Sequence, residues 1–148
     1  MTAPPIRLYT AYQDHFDHPP QSIISVSERE IWIAAEVEDG HQITLIAPDV
    51  DNRTTFDRRS AKRKRTVRNR PLPIWARYAA GVVLMLSADQ LTIPGFTGVV
   101  IGNETTGPRY HYSLGMAVAA LLYDHNQQTY DTPDLLALME RVQKHYKG

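Results

Sequence analysis

The stretch GFTGVVIGNETTGPRYHYSLGMAVAALLY, residues 95–123, decides how this chain is read. Its first part, 96–101, is a short apolar run with the composition of a buried strand. Polar residues follow from Gly102 to Tyr112, and from Ser113 an apolar helix begins. A turn that empties into a helix N-terminus sets unpaired backbone N–H groups beside the positive end of a helix dipole, the ordinary arrangement for holding phosphate.

Upstream, Pro94-Gly95 ends a connection, and before it Pro73 opens a helix. Trp75, Tyr78, Ala79, Val82 and Leu86 recur there at i, i+3, i+4, i+7 and i+11 as one apolar stripe. Downstream, Asp131, Thr132, Pro133 and Asp134 supply an N-cap, a proline at the first helical position and an acid in the first turn. Leu135, Leu138, Met139, Val142 and Tyr146 give this last helix its buried stripe, and Glu140 with Lys144 makes an i, i+4 pair.

The first third of the chain reads as strands. Residues 6–12 form the first, which the prolines at 19 and 20 separate from the rest; 22–27, 30–38 and 41–47 follow. Ile31, Ile33, Ala35 and Val37 share one face, as do Ile43, Leu45 and Ala47, the period of two of half-buried antiparallel strands. Asp39-Gly40 between them predicts a hairpin, since both turn positions call for positive φ. From 50 to 71 no period is visible. Strands first, then helices around one further strand, predict an α+β domain with helices packed on one face of a mostly antiparallel sheet.

The 148 residues make one domain, or part of one, long enough to bury about two-thirds of its unfolded surface. Sixteen basic and sixteen acidic residues cancel, so bulk charge favours neither a nucleic-acid nor a membrane partner. The absence of cysteine removes disulfides, thiolate metal sites and cysteine nucleophiles. The start, MTAPPIRLYT, has no signal-peptide pattern, and the longest apolar run, 114–122, is too short for a membrane span. A soluble, cytoplasmic protein is the expectation.

Taken in order, several pieces resemble the N-terminal half of a galactokinase, one of the GHMP small-molecule kinases. They are Asp14-His15-Phe16-Asp17, the Asp39-Gly40 hairpin, Asp51-Asn52, the Trp75, Tyr78 and Gly81 helix, the strand 96–101 with the turn at Gly107, and Tyr146-Lys147-Gly148. The resemblance covers nearly the whole chain and implies transfer of the ATP γ-phosphoryl group to a sugar hydroxyl, with magnesium. Such transfer asks of a protein mainly that phosphates be held, charge neutralised and the acceptor positioned.

Carried over residue by residue, the resemblance implies that Asp14, His15 and Asp17 bind the sugar and that Arg7 lies near the transferring phosphate. Asp14 is one methylene shorter than the family's glutamate, and Arg7 stands one residue further from the acid. Gly107, Arg109, His111 and Ser113 are the implied phosphate-binding residues, with Ser113 also the magnesium ligand. The family's loop is rich in glycine and serine, whereas Gly107-Pro108-Arg109-Tyr110-His111-Tyr112-Ser113 is bulky, which predicts a crowded nucleotide site. The family's later transition-state carboxylate has no counterpart up to Gly148, so the chain is expected to be inactive without a C-terminal kinase half. Read without the resemblance, DHFDH is equally a solvated loop, or less readily a metal site through His15, His18 and a carboxylate.

Residues 58–70, RRSAKRKRTVRNR, hold eight of the sixteen basic residues and no acid. Like charges repel, so a disordered surface loop is expected, with nonspecific polyanion binding as the alternative. No aromatic residue interleaves to stack bases, so sequence-selective nucleic-acid recognition is not expected. Two functions follow: the N-terminal part of a galactokinase-like sugar kinase, or a non-catalytic sugar-binding module derived from one.

Overall fold

Tertiary packing decides which of these segments become strands, as a computed structural model describing residues 3–26 and 28–147 shows. Ser27, the end of one predicted strand, and Gly148, the end of the aromatic-x-Gly motif, lie outside the described residues.

Five strands form one sheet: β1 (Ser22–Ser25), β2 (Ile31–Glu38), β3 (Ile43–Ala47), β4 (Asn52–Phe56) and β5 (Gly95–Gly102), in the order β1-β2-β5-β3-β4. Only β3 and β5 run parallel; the other pairs are antiparallel. The helices are α1 (Ile6–His15), α2 (Arg58–Lys62), α3 (Arg77–Ala88), α4 (Pro108–His125) and α5 (Thr132–Val142). The predicted α+β class is the observed one. On one sheet face Ile31, Ile33, Ile43, Leu45, Phe96 and Val100 meet the buried stripes of α3, α4 and α5, which contain the residues expected from their helical spacing. Asp131 caps α5 through a reciprocal box with Asp134, and Pro133 lies in the first helical turn. On the other face Trp32, Ala34, Val99 and Ile101 pack under Leu8 and Tyr12 of α1.

Five expectations need correction. Residues 6–12 are helix, not strand: Leu8 and Tyr12 bury one side at i, i+4, Pro5 sits at the N-cap, and β1 already fills that edge of the sheet. Asp39-Gly40 does not close a hairpin, because β5 lies between β2 and β3. Gly40 does have positive φ, 95°, and its carbonyl receives Gly95 N–H at 3.1 Å, so the connection steps over the start of β5. An all-buried strand such as β5 takes the centre of a sheet, where both faces are covered. The segment without a visible period contains β4 and α2; β4 is an edge strand whose Thr54 and Phe56 alone are buried. Finally, α4 begins at Pro108, five residues before Ser113, with proline in its first turn and Gly107 at φ 144° as N-cap.

The basic run is also folded. Thr66 N–H bonds Arg70 O (2.8 Å), Leu72 N–H bonds Lys64 O (2.9 Å) and Val67 N–H bonds Thr55 O on β4 (3.0 Å). Tyr146 locks its helical start by donating to Ala61 O at 2.6 Å. Burial pushes the Tyr146 phenol up to about 12, against about 10 in the unfolded chain. The unfolded state therefore loses this proton first, and the stability the group contributes falls as pH rises from 10 to 12. We expect a loss on the order of 1 kcal/mol by pH 11 from this group. Denaturant unfolding at pH 8 and pH 11 should show it as a difference between wild type and Tyr146→Phe; equal losses in both would rule it out.

Candidate functional site

The C-terminal end of β5 and the first turns of α4 bring together side chains from four parts of the chain. Asp49, in the turn after β3, is the hub. Its Oδ1 lies 2.6 Å from Arg7 Nη1, and its Oδ2 accepts from Gly102 N–H and from the Tyr110 hydroxyl, both at 2.9 Å. Arg7 Nη2 donates to Gly102 O (2.5 Å) and to Asn103 Oδ1 (3.0 Å). Tyr110 is fully buried; burial first, then the Asp49 carboxylate, holds its phenol protonated well above the usual range. Arg7 thus stands where the turn begins.

The second cluster is built on Ser113. Its hydroxyl is fully buried and donates to the Glu104 carboxylate, 2.9 Å to Oε2 and 3.1 Å to Oε1. Arg29 Nη1 donates to the same hydroxyl at 3.1 Å, while the guanidinium lies over the Tyr112 ring, 5.4 Å from its centroid. Arg109 Nε approaches Glu104 Oε2 at 3.6 Å. Arg109 and His111 belong to the first turn of α4 rather than to a loop, and His111 N–H bonds Gly107 O at 2.9 Å. The cleft above this turn, of 690 Å³, is lined by three carboxylates, Glu28, Glu30 and Glu104, against Arg109.

Asp14 and His15 line a different cleft, of 490 Å³, at the far end of α1. Asp51, Asn52 and Arg53 form its other wall, and Ile46 and Pro48 its floor. Eight residues of helix separate His15 from Arg7, about 12 Å. Asp17 is exposed and lines neither cleft. His18 Nε2 lies 3.3 Å from Glu36 Oε1 instead of joining His15. Among the described residues no group of three or more His, Asp or Glu side chains could hold a metal ion, and no helix is long and apolar enough to cross a membrane.

No protein-family model and no curated protein matches this sequence. Solved structures do. The galactokinase of Lactococcus lactis complexed with galactose aligns over 95% of this chain with a TM-score of 0.69 and 16% identity. The architecture is that of a GHMP-kinase N-terminal domain. A mevalonate kinase aligns over 82% with a TM-score of 0.61 and 14% identity, and that of Methanococcus jannaschii over 77% with 0.56 and 12%. The chain spans between 36% and 42% of these proteins' lengths. At such identities it is the fold that is shared, and the GHMP-kinase N-terminal architecture is common to enzymes whose acceptors differ.

Within that architecture, the sequence alone points to Arg7, Ser113, Arg109 and Asp51-Asn52 but not to Asp49, Glu104 or Arg29. Asp49 follows a strand and a proline like any turn acid. Glu104 and Arg29 stand far from each other in sequence and meet only through Ser113. No local pattern announces either.

Proposed function

We propose that this chain is a galactokinase-like domain that serves as a sugar-binding module and does not by itself transfer phosphate. The observation that carries the reading is the Glu104 carboxylate seated on the buried Ser113 hydroxyl. Magnesium ATP, which the resemblance implies, does not fit these residues: Ser113 is engaged by Glu104 and Arg29, and Glu28 and Glu30 add negative charge to the cleft a triphosphate would have to enter. Gly107, Arg109 and His111 supply one exposed guanidinium at most, since Arg109 already faces Glu104.

The sugar-binding part of the reading rests on the cleft at the end of α1. Carboxylates, an amide and a guanidinium around an apolar floor match what a polyhydroxylated ring presents: hydroxyls at its rim and C–H groups on its faces. Asp14 and Asp51 would accept from hydroxyls, with His15 and Asn52 bonding alongside. Asp17, implied by the resemblance, is left out of this role.

A second reading, the N-terminal part of a complete sugar kinase with ATP and magnesium, is favoured by one observation. Arg7 is anchored at the mouth of the turn through Gly102 O and Asn103, where a cation would meet a transferring phosphate. Titration calorimetry separates the two. Galactose is expected to give heat that is lost in Asp14→Ala, while magnesium ATP gives none with wild type. Nucleotide binding by the wild-type chain would overturn the module reading, and silence with galactose would remove its sugar. Glu104→Gln removes the negative charge from Ser113 while keeping its volume. It should raise affinity for inorganic triphosphate about tenfold, by analogy with other single charge-assisted contacts.

A further inference from the structure

The function proposed above leaves the basic run unused. Its eight basic side chains form no ion pair with a carboxylate among the described residues; Arg58 bonds Ser87, and Arg63 and Arg65 bond Asn69 instead. The chain as a whole is neutral, so this positive charge is concentrated rather than general. Because the run folds back onto β4 through Thr66, Val67 and Leu72, its charges hold fixed positions in place of averaging over a mobile loop.

Those positions make a groove. Arg53 from β4 and Arg68 and Arg70 from the turn line a cleft of 620 Å³, whose other walls include Gln42, Thr55 and Thr66. A second cleft, of 350 Å³, is lined by His41, Arg58 and Arg59. Its one carboxylate, Asp57, is turned to cap α2 at Ser60 N–H. The second cleft opens on the helix-covered face with Ile43 and Val83, the first beside the alternate residues Arg53 and Thr55, so the groove is the first cleft with its three arginines.

We infer that this groove binds the phosphodiester backbone of nucleic acid, RNA or DNA alike. Guanidinium forks and threonine hydroxyls are phosphate donors. Eight cations within thirteen residues, none paired with a carboxylate among the described residues, suit a linear polyanion better than an isolated phosphate. Neither cleft is lined by Phe, Tyr or Trp, so contact is to phosphates and carries no base preference. Val67 is the one apolar side chain lining the groove, which leaves little to insert into a bilayer interface.

Fluorescence anisotropy with labelled 20-nucleotide oligouridylate and oligothymidylate tests this, with inorganic polyphosphate and polyglutamate as competitors. Both oligonucleotides should bind the full chain with similar affinity, with log Kobs falling against log[salt] at a slope of about −2, as for about three phosphates on a single strand. Arg68→Ala/Arg70→Ala should weaken binding about tenfold and flatten the slope by about one, whereas Arg68→Lys/Arg70→Lys keeps the slope because it keeps the charge. Should alanine disturb the turn by circular dichroism, glutamine at both positions reads the same loss. Absence of binding at 50 mM salt, indifference to all these substitutions, or competition by polyglutamate as strong as by polyphosphate would overturn the inference. Arg68 and Arg70 line neither the Ser113 cleft nor the Asp14 cleft, so failure here leaves the sugar-module reading standing.

Discussion

Replacing Asp49 by alanine is expected to lower the unfolding free energy by about 2–4 kcal/mol, the range for stranding buried donors and an ion-pair partner. One carboxylate, 12% exposed, serves the Arg7 guanidinium, the Gly102 N–H and the Tyr110 hydroxyl. Arg7 is 46% exposed and can turn to water, so its share is small. Tyr110 cannot: it is fully buried, and without Asp49 its hydroxyl keeps no acceptor. The cost therefore falls on the junction of α1, β5 and α4, at the turn that leads into α4. Denaturant unfolding of Asp49→Ala, Asp49→Asn and Tyr110→Phe tests the account. Tyr110→Phe removes donor and demand together and should cost about 1 kcal/mol, well under the loss from Asp49→Ala. Equal losses would mean that Asp49 acts through something other than the tyrosine and the glycine amide.

Valine at Gly115 is expected to destabilise by about 3 kcal/mol, the upper end for overpacking a close-packed interior. A Cβ built there would lie 2.7 Å from Tyr78 Cβ and 2.8 Å from Met139 Cε, with the Tyr78 carbonyl carbon at 3.3 Å. Met139 can swing aside, but Tyr78 Cβ moves only with the backbone of α3. Alanine at the same site gains about 1 kcal/mol of helix propensity and so should fall well short of valine's loss. Gly107, by contrast, has nothing within 4 Å of the place a Cβ would take, and its φ of 144° is what forbids a side chain. Thermal melts of Gly115→Ala and Gly115→Val should rank in that order below wild type. If valine were neutral, α3 and α4 would not approach as closely as Gly115 and Tyr78 imply.

The groups of residues legible from sequence are those whose signal is repeated. Trp75, Tyr78, Ala79, Val82 and Leu86, and likewise Leu135, Leu138, Met139 and Val142, announce their helices because burial on one side recurs every turn, and each is buried. β2, β3 and β5 are equally plain, as alternating or continuous apolar runs flanked by Gly and Pro. Residues 6–12 are open to both readings because Leu8 and Tyr12 alone give too few buried positions to tell i, i+4 from i, i+2. The start of α4 is legible in retrospect from Gly107-Pro108, where proline opens a helix, although Tyr110, His111 and Tyr112 hide it among polar turn residues.

By itself the sequence determined the fold class, the three helices on one sheet face and the placement of charge along the chain, because periodicity and composition are local quantities that survive without a partner. Only the tertiary structure decided that β5 parts β2 from β3, that Glu104 meets Arg29 across Ser113, and that the basic run stands folded beside β4. Strand order and the pairing of distant charges depend on which surfaces remain uncovered once the core has closed, and that is a property of the whole packed molecule.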